Sequence, residues 1–389
     1  MMDEFPEPEE DVEKIKPEEL KEKIENGEDI LLLDVRAENE HEEWSIDPRE
    51  GEIVNRPYFE LIEGLPEDFR AQFEDEDREI VVICAKGGSS EYISSLMKQE
   101  LDVDVKNLKE GMNGWASIYE KETFDLENGE LVQYMRPSSG CLAYMVKSQG
   151  EAAVIDPLRT FSDKYVEDSE ELKYAIDTHI HADHISGVRK LGHREETTPV
   201  IPEAARERDV TYIDDVKTVE GGENLKVGDV EIEAIHTPGH TTGMTSYLIG
   251  GEALATGDGL FVESVARPDL EKGDDGAPKQ AGQLYETLQE EVLALDDDIY
   301  VAPGHFSDAS EKEKGLYMKT IGDLKEDMAP LSYDGEEFVD FVLEDMPPRP
   351  ANYQDVIATN LGKQEATDEE AFEMELGPNN CAATQDSMA

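Results

Sequence analysis

Apolar residues along the chain fall in short runs separated by charged stretches and by Gly and Pro. Two early runs, Ile30-Leu31-Leu32-Leu33-Asp34-Val35 and Ile80-Val81-Val82-Ile83, are strand-sized and nearly uninterrupted, the pattern of strands buried on both faces. Residues 17–24 are predicted as a short helix, with Pro17 at a tolerated N-terminal position. After Gly87-Gly88, Tyr92, Ile93, Leu96 and Met97 recur at helical spacing, which predicts a helix over 89–101 with Ser89 or Ser90 as N-cap. Gly111, Gly114 and Trp115 close this part of the chain. Strands alternating with helices on this scale predict a small parallel α/β sheet.

From about Leu126 the pattern changes. Residues 142–146 and 152–155 read as paired strands around Ser148-Gln149-Gly150, and 174–177, 230–235, 245–249 and 253–255 read as further strands. Helices are predicted over 284–295 and 312–328. Sheets with helices outside them give an αββα layering, so both halves are α/β. The expected divisions are an acidic, disordered tail over 1–11, a first domain over 12–122, a short linker over 123–130, and a second domain with a C-terminal extension over 131–389.

Composition narrows the class. The 94 acidic against 35 basic residues give a formal charge of -59, which disfavours nucleic acid and anionic membranes as partners. Such a surface suits a halophilic, high-salt cytosol, where charge self-repulsion is screened within about 3 Å. No apolar run approaches the roughly 18 residues of a membrane span, and the N-terminus is acidic where a signal peptide would be basic and then apolar. A cytoplasmic protein is expected. The three cysteines, Cys84, Cys141 and Cys381, are too few and scattered for a disulfide framework. Cys141 and Cys381 read as structural.

The candidate chemistry lies at strand ends. His179-Ile180-His181-Ala182-Asp183-His184 packs three imidazoles and a carboxylate into six residues. In a loop, alternate residues His179 and His181 can face one point while Asp183 and His184 face another. Further ligand candidates follow in Thr237-Pro238-Gly239-His240, Thr256-Gly257-Asp258 and Ala302-Pro303-Gly304-His305, each with a Gly that lets the backbone turn at a strand end. Six of the eight histidines fall in or next to these loops, all but His41 and His193. His193 and His236 read as structural or surface residues. Imidazole with carboxylate suits zinc or iron.

These loops resemble those of the metallo-β-lactamase superfamily, over about Leu131 to the C-terminus. The resemblance implies one metal on His179, His181 and His240, and a second on Asp183, His184, Asp258 and His305. Within that superfamily the chain looks most like persulfide dioxygenases. The supporting stretches are Gly140-Cys141-Leu142-Ala143-Tyr144, Ala266-Arg267-Pro268-Asp269-Leu270, Pro347-Pro348-Arg349-Pro350-Ala351-Asn352-Tyr353 and Asn379-Asn380-Cys381. That family implies a single Fe(II) on His179, His240 and Asp258, leaving positions for O2, substrate and water. His181, Asp183, His184 and His305 would then orient the ligands and a water. Arg267 is either an anchor for a substrate carboxylate or a surface ion pair. The rival is a hydrolase of the glyoxalase II type, in which the same residues hold two metals such as zinc.

Cys84-Ala85-Lys86-Gly87-Gly88-Ser89-Ser90 follows a buried strand and opens a helix. Such a loop turns backbone N–H groups inward, and the helix N-terminus and Lys86 add positive potential, so an anionic sulfur on Cys84 is favoured. With Leu31 to Arg36 and Glu110-Gly111-Met112-Asn113-Gly114-Trp115, the loop resembles that of rhodanese domains. The resemblance covers about 12–122 and implies a sulfane sulfur carried on Cys84. Two features depart from the family: Ser89 stands where Arg is frequent, and Trp44-Ser45-Ile46-Asp47-Pro48 replaces a His-Ile-Pro-Gly-Ala segment. Together the resemblances imply an enzyme of sulfur metabolism, acting on a low-molecular-weight thiol persulfide and O2. Sequence leaves open the thiol, the direction of sulfur transfer and any homo-oligomer. It also leaves open a first domain that only docks or regulates.

Overall fold

The two apolar runs of the first half form neighbouring central strands. The computed structural model describes residues 10–74, 76–307, 310–344, 346–350 and 352–377. Among these, strands β1 (Glu13–Ile15), β2 (Leu31–Asp34), β3 (Glu52–Asn55), β4 (Ile80–Ile83) and β5 (Val105–Leu108) make a parallel sheet in the order β1-β5-β4-β2-β3. Every residue of β2 and β4 is buried. Helices cover both faces, which is why the runs carry no polar alternation. One face packs Leu31, Leu33, Val82 and Ile93; the other packs Leu32, Val81, Leu20 and Met112.

The predicted helices of this unit are present as Pro17–Glu25 and Gly88–Glu100. The second has Gly87 as N-cap, not Ser89 or Ser90, with Gly87 in the left-handed region at φ 93°. That conformation suits a residue without Cβ. It frees the Ser90 hydroxyl for Cys84. The expected disordered tail is corrected at its end: the Glu10 N–H donates to Ser95 Oγ and the Asp11 carbonyl accepts from Lys98 Nζ. Residues 1–9 lie outside the described residues.

The chain divides between Ile118 and Tyr119, earlier than 122. Residues 123–130, expected as a linker, instead belong to a hairpin of β6 (Glu120–Leu126) and β7 (Gly129–Arg136), with every residue of β6 paired. β6 is a sheet edge with Lys121, Glu122 and Thr123 exposed, so its polar composition reads as loop.

The second unit continues through β8 (Cys141–Ser148), β9 (Glu151–Ile155), β10 (Glu171–Ile176), β11 (Thr198–Pro202) and β12 (Lys217–Val219). These form a mixed sheet in the order β12-β11-β10-β9-β8-β7-β6. A second sheet runs β13 (Asn224–Val227), β14 (Val230–His236), β15 (Thr245–Ile249), β16 (Ala253–Gly257), β17 (Tyr300–Pro303) and β18 (Lys319–Thr320) in sequential order. The sheets face each other across one core containing Tyr144, Ile155 and Ile176 from the first and Ile232, Tyr247 and Ile249 from the second. Outside them pack Phe161, Tyr165 and Leu191 on one side and Leu284, Leu288 and Phe338 on the other. This is the expected αββα layering.

Two helix expectations need correction. The helix over 312–328 spans only Ile321–Asp327, because Lys314 and Gly315 adopt φ 53° and 89° and break it, while Leu316 and Met318 turn into the inter-sheet core. The helix over 284–295 starts earlier, as Gly273–Thr287, and continues as a π turn over Leu288–Val292.

Candidate metal centre and cysteine loop

The loop after β10 is shaped by buried carboxylates at its root. Asp156, at φ 50°, accepts from Thr178 N at 2.7 Å and from Thr178 Oγ1 at 2.9 Å. Asp177 accepts from Ser186 Oγ at 2.7 and 2.8 Å, which ties the two ends of the loop together. Because the Thr178 hydroxyl hydrogen goes to Asp156, its oxygen is the acceptor for His179 Nδ1 at 2.9 Å. His179 Nε2 then carries the lone pair. His240 is set the same way: Nδ1 donates to the Arg267 carbonyl at 2.9 Å, which leaves Nε2 as the lone pair.

Both lone pairs face Asp258. Asp258 Oδ2 lies 3.8 Å from His179 Nε2 and 3.7 Å from His240 Nε2, and all three side chains are buried. Neither separation is a hydrogen bond, and His179 Nε2 and Asp258 Oδ2 have no hydrogen-bond partner. A buried carboxylate oxygen left this way is costly unless a cation meets it. The three atoms fit around one ion with bonds of about 2 Å.

Glycines permit the approach. Gly257 is at φ 49°, and a Cβ there would lie 2.4 Å from Thr178 Oγ1; one on Gly304 would lie 2.6 Å from Asp258 Oδ1. Burial pushes the Asp258 carboxyl up, but the charge and hydrogen bond of His305 override it and hold it well below the usual carboxylate range. Burial holds the His179 and His240 imidazoles below their ordinary value, hence neutral and able to ligate.

The remaining predicted residues surround this trio. His181 Nε2 sits 3.2 Å from Asp156 Oδ1 and 3.6 Å from Asp177 Oδ1, and its Nδ1 has no hydrogen-bond partner. His305 spans two carboxylates, with Nδ1 at 2.5 Å from Asp258 Oδ1 and Nε2 at 2.9 Å from Asp183 Oδ2. Asp183 Oδ2 also meets His184 Nδ1 at 3.0 Å.

Cys141, read from the sequence as structural, begins β8 beside the site. Its sulfur lies 3.4 Å from Asp183 Oδ2, in one buried cluster with His184 and His305. The cluster forms because Leu142 N donates to the Gly304 carbonyl and Phe306 N to the Gly140 carbonyl, so the start of β8 runs beside His305. The only sequence signal was position: Cys141 follows a Gly at a strand end, as the ligand loops do. His193 and His236 lie outside all three buried clusters of metal-type donors among the described residues. Cys381 lies outside the described residues.

Arg267 is 1% exposed, which corrects the expectation of a surface ion pair. Its guanidinium donates to Asp269 at 2.7 and 3.1 Å and to the Pro348 carbonyl at 2.9 Å. Its link to the site in this structure is the carbonyl that orients His240.

In the first unit, Cys84 Sγ accepts from Gly87 N and from Ser90 Oγ, both at 3.0 Å. Two donors on one buried sulfur suit an anionic atom there. The loop is pinned from behind: Met112 N donates to the Cys84 carbonyl and Asn113 N to the Ala85 carbonyl. Gly111 permits this approach, since a Cβ on it would lie 2.0 Å from the Cys84 carbonyl oxygen. Lys86 is exposed on the loop.

Comparison with known proteins agrees with this division. Residues 16–118 match the model of the rhodanese-like domain, and residues 137–305 that of the metallo-beta-lactamase superfamily. Mitochondrial persulfide dioxygenase ETHE1 of Homo sapiens is 26% identical over 241 residues, spanning 59% of this chain and 87% of that protein. Cytoplasmic hydroxyacylglutathione hydrolase of Arabidopsis thaliana is 32% identical over 173 residues, spanning 41% of this chain and 60% of that protein. The crystal structure of ETHE1 from Myxococcus xanthus is similar with a TM-score of 0.51 and 28% identity, covering 60% of this chain and 99% of that one. A metallo-beta-lactamase structure from Staphylococcus aureus shares the fold at a TM-score of 0.55 and 24% identity, over 62% of this chain and 74% of that one. The chain is thus a rhodanese-like domain followed by a metallo-beta-lactamase superfamily domain, with persulfide dioxygenases among its relatives.

Proposed function

We propose that the second domain oxidises a low-molecular-weight thiol persulfide with O2 at one Fe(II) held by His179, His240 and Asp258. We also propose that Cys84 of the first domain carries sulfane sulfur. The observation that carries the metal reading is the division of labour in Asp258. One oxygen is bonded to His305, while the other, without a hydrogen-bond partner, points at two imidazole lone pairs. Both nitrogens of His305 are engaged by carboxylates, Asp258 and Asp183, which favours one ion over two.

Bound there, ferrous iron would supply open positions for a soft sulfur anion and for O2, which redox-inert zinc cannot activate. The reaction balances as RSSH + O2 + H2O → RSH + SO3²⁻ + 2H⁺. The terminal sulfur loses four electrons and O2 gains them. The chain's own residues hold the geometry: Thr178 and the Arg267 carbonyl fix the imidazoles, and Asp156 holds His181 from behind. His305 holds Asp258 ionised. At Cys84, attack on thiosulfate would break its S–S bond, leaving a persulfide on Cys84 and releasing sulfite. The Gly87 N–H and Ser90 hydroxyl are placed to hold the anionic sulfur.

The relatives that are hydroxyacylglutathione hydrolases support the competing reading of a thioester hydrolase; on that reading the same residues would hold two metals and the first domain would dock or regulate. Oxygen uptake on glutathione persulfide, followed together with sulfite, decides between them. One O2 consumed per sulfite formed is expected. Thioester hydrolysis without O2 uptake would replace the dioxygenase with the hydrolase.

A further inference from the structure

The loop that presents His179, His181, Asp183 and His184 is neither strand nor helix, so its buried main-chain groups need partners from elsewhere. Four of those partners are supplied by two side chains far along the chain. Asn360 Nδ2 donates to the carbonyls of His181 at 3.0 Å and His184 at 2.8 Å, and Asn360 Oδ1 accepts from Ser186 N at 2.9 Å. Glu375 Oε1 accepts from Ile185 N at 2.9 Å. These contacts flank Asp183 on both sides. Both side chains come from the region beyond residue 305, where the superfamily match ends.

Each is itself anchored. Asn360 ends the helix Tyr353–Asn360, and its own carbonyl accepts from Tyr212 Oη at 2.7 Å. Glu375 follows the helix Asp368–Met374, and its Oε2 accepts from Arg136 Nη1 at 2.7 Å and from Thr160 Oγ1 at 3.3 Å. Arg136 and Glu375 are both buried, so Glu375 is a fixed charge within the protein. A primary amide offers two donors and an acceptor in one plane, and Asn360 uses all three on the loop.

We infer that Asn360 and Glu375 are positioning residues of the metal centre, a brace that sets the main chain of the loop and through it the aim of the imidazoles. The inference rests on the reading of His179, His240 and Asp258 as a metal site, but not on the reaction run there. Asn360→Asp keeps the shape and the acceptor while turning a carboxylate on two carbonyl oxygens. Glu375→Gln keeps the acceptor for Ile185 N and removes the charge facing Arg136.

The test uses the full chain with Asn360→Asp and, separately, Glu375→Gln. Release of Fe(II) to an excess of chelator and the spectrum of the ferrous–nitrosyl adduct are recorded anaerobically, beside thermal unfolding. Asn360→Asp is expected to weaken iron retention roughly 10–100-fold, the range for partners that orient metal ligands, with an altered nitrosyl spectrum. Glu375→Gln is expected to move both in the same direction by less, and it decides the matter if Asn360→Asp does not fold. Unchanged retention and spectrum in both variants would overturn the brace, as would a lower melting temperature with unchanged metal release. Repeating the release with Zn(II) separates the two claims. Weakened Zn(II) retention supports the brace even where the unaltered chain oxidises no persulfide. Normal retention in variants of a working dioxygenase removes the brace and leaves the dioxygenase.

Discussion

The two candidate sites, one proposed for an anionic sulfur and one for a cation, are built by different means. The Cys84 site is local: the proposed nucleophile, both donors and the turn that orients them lie within Cys84 to Ser90, with Gly111 to Asn113 pinning the loop. The metal centre is dispersed. Its three proposed ligands follow three strands, their orienting groups come from Asp156, Thr178, Arg267 and His305, and its loop is tied to Asn360 and Glu375. A backbone cradle for one atom can be built from a few residues. A site for an ion of fixed geometry needs ligands from several directions, each held by a further partner. The local site therefore depends on single residues, and the dispersed one on many.

That contrast can be broken by substitution. Cys84→Ser removes the proposed sulfur carrier of its loop and is expected to abolish sulfur transfer from thiosulfate to a thiol, with iron content per chain unchanged. Sulfur transfer at the rate of the unaltered chain would take Cys84 out of the chemistry and leave the first domain a docking module. A smaller, graded loss is expected at the metal centre from Asp156→Asn. This residue touches no metal ligand atom of the trio, yet it fixes Thr178 and, through it, the lone pair of His179. Metal affinity should fall roughly 10–100-fold by competition with a chelator. An unchanged affinity would show that His179 keeps its aim without that hydrogen bond, and the dispersed site would be more tolerant than its contacts imply.

The same contrast explains what could be read from the sequence. Patterns within a few residues carried most of the fold and of the candidate sites: the buried strands of the first unit, the Cys84 loop, and the His-x-His-x-Asp-His run with its Gly-flanked partners. The residues missed act over distance. Asn360 and Glu375 meet the loop through contacts 174 to 190 residues apart in the chain, and such side-chain-to-backbone bonds leave no periodicity. Cys141 looked structural because it begins an apolar strand, and only the pairing of that strand's start beside His305 shows its company. Arg267 could not be placed because burial of an Arg depends on a partner, here Asp269, two residues on and equally buried. The strand β6 passed for a linker because its exposed face is polar, and the helix before residue 321 failed at left-handed Lys314 and Gly315.

On the function proposed above, His179, His240 and Asp258 grip a single redox-active ion. Metal analysis of protein purified without oxygen at high salt, set beside the Asp258→Ala variant, tests it most directly. One iron per unaltered chain and almost none in the variant are expected. Two zinc ions per chain, or full iron content in Asp258→Ala, would contradict it.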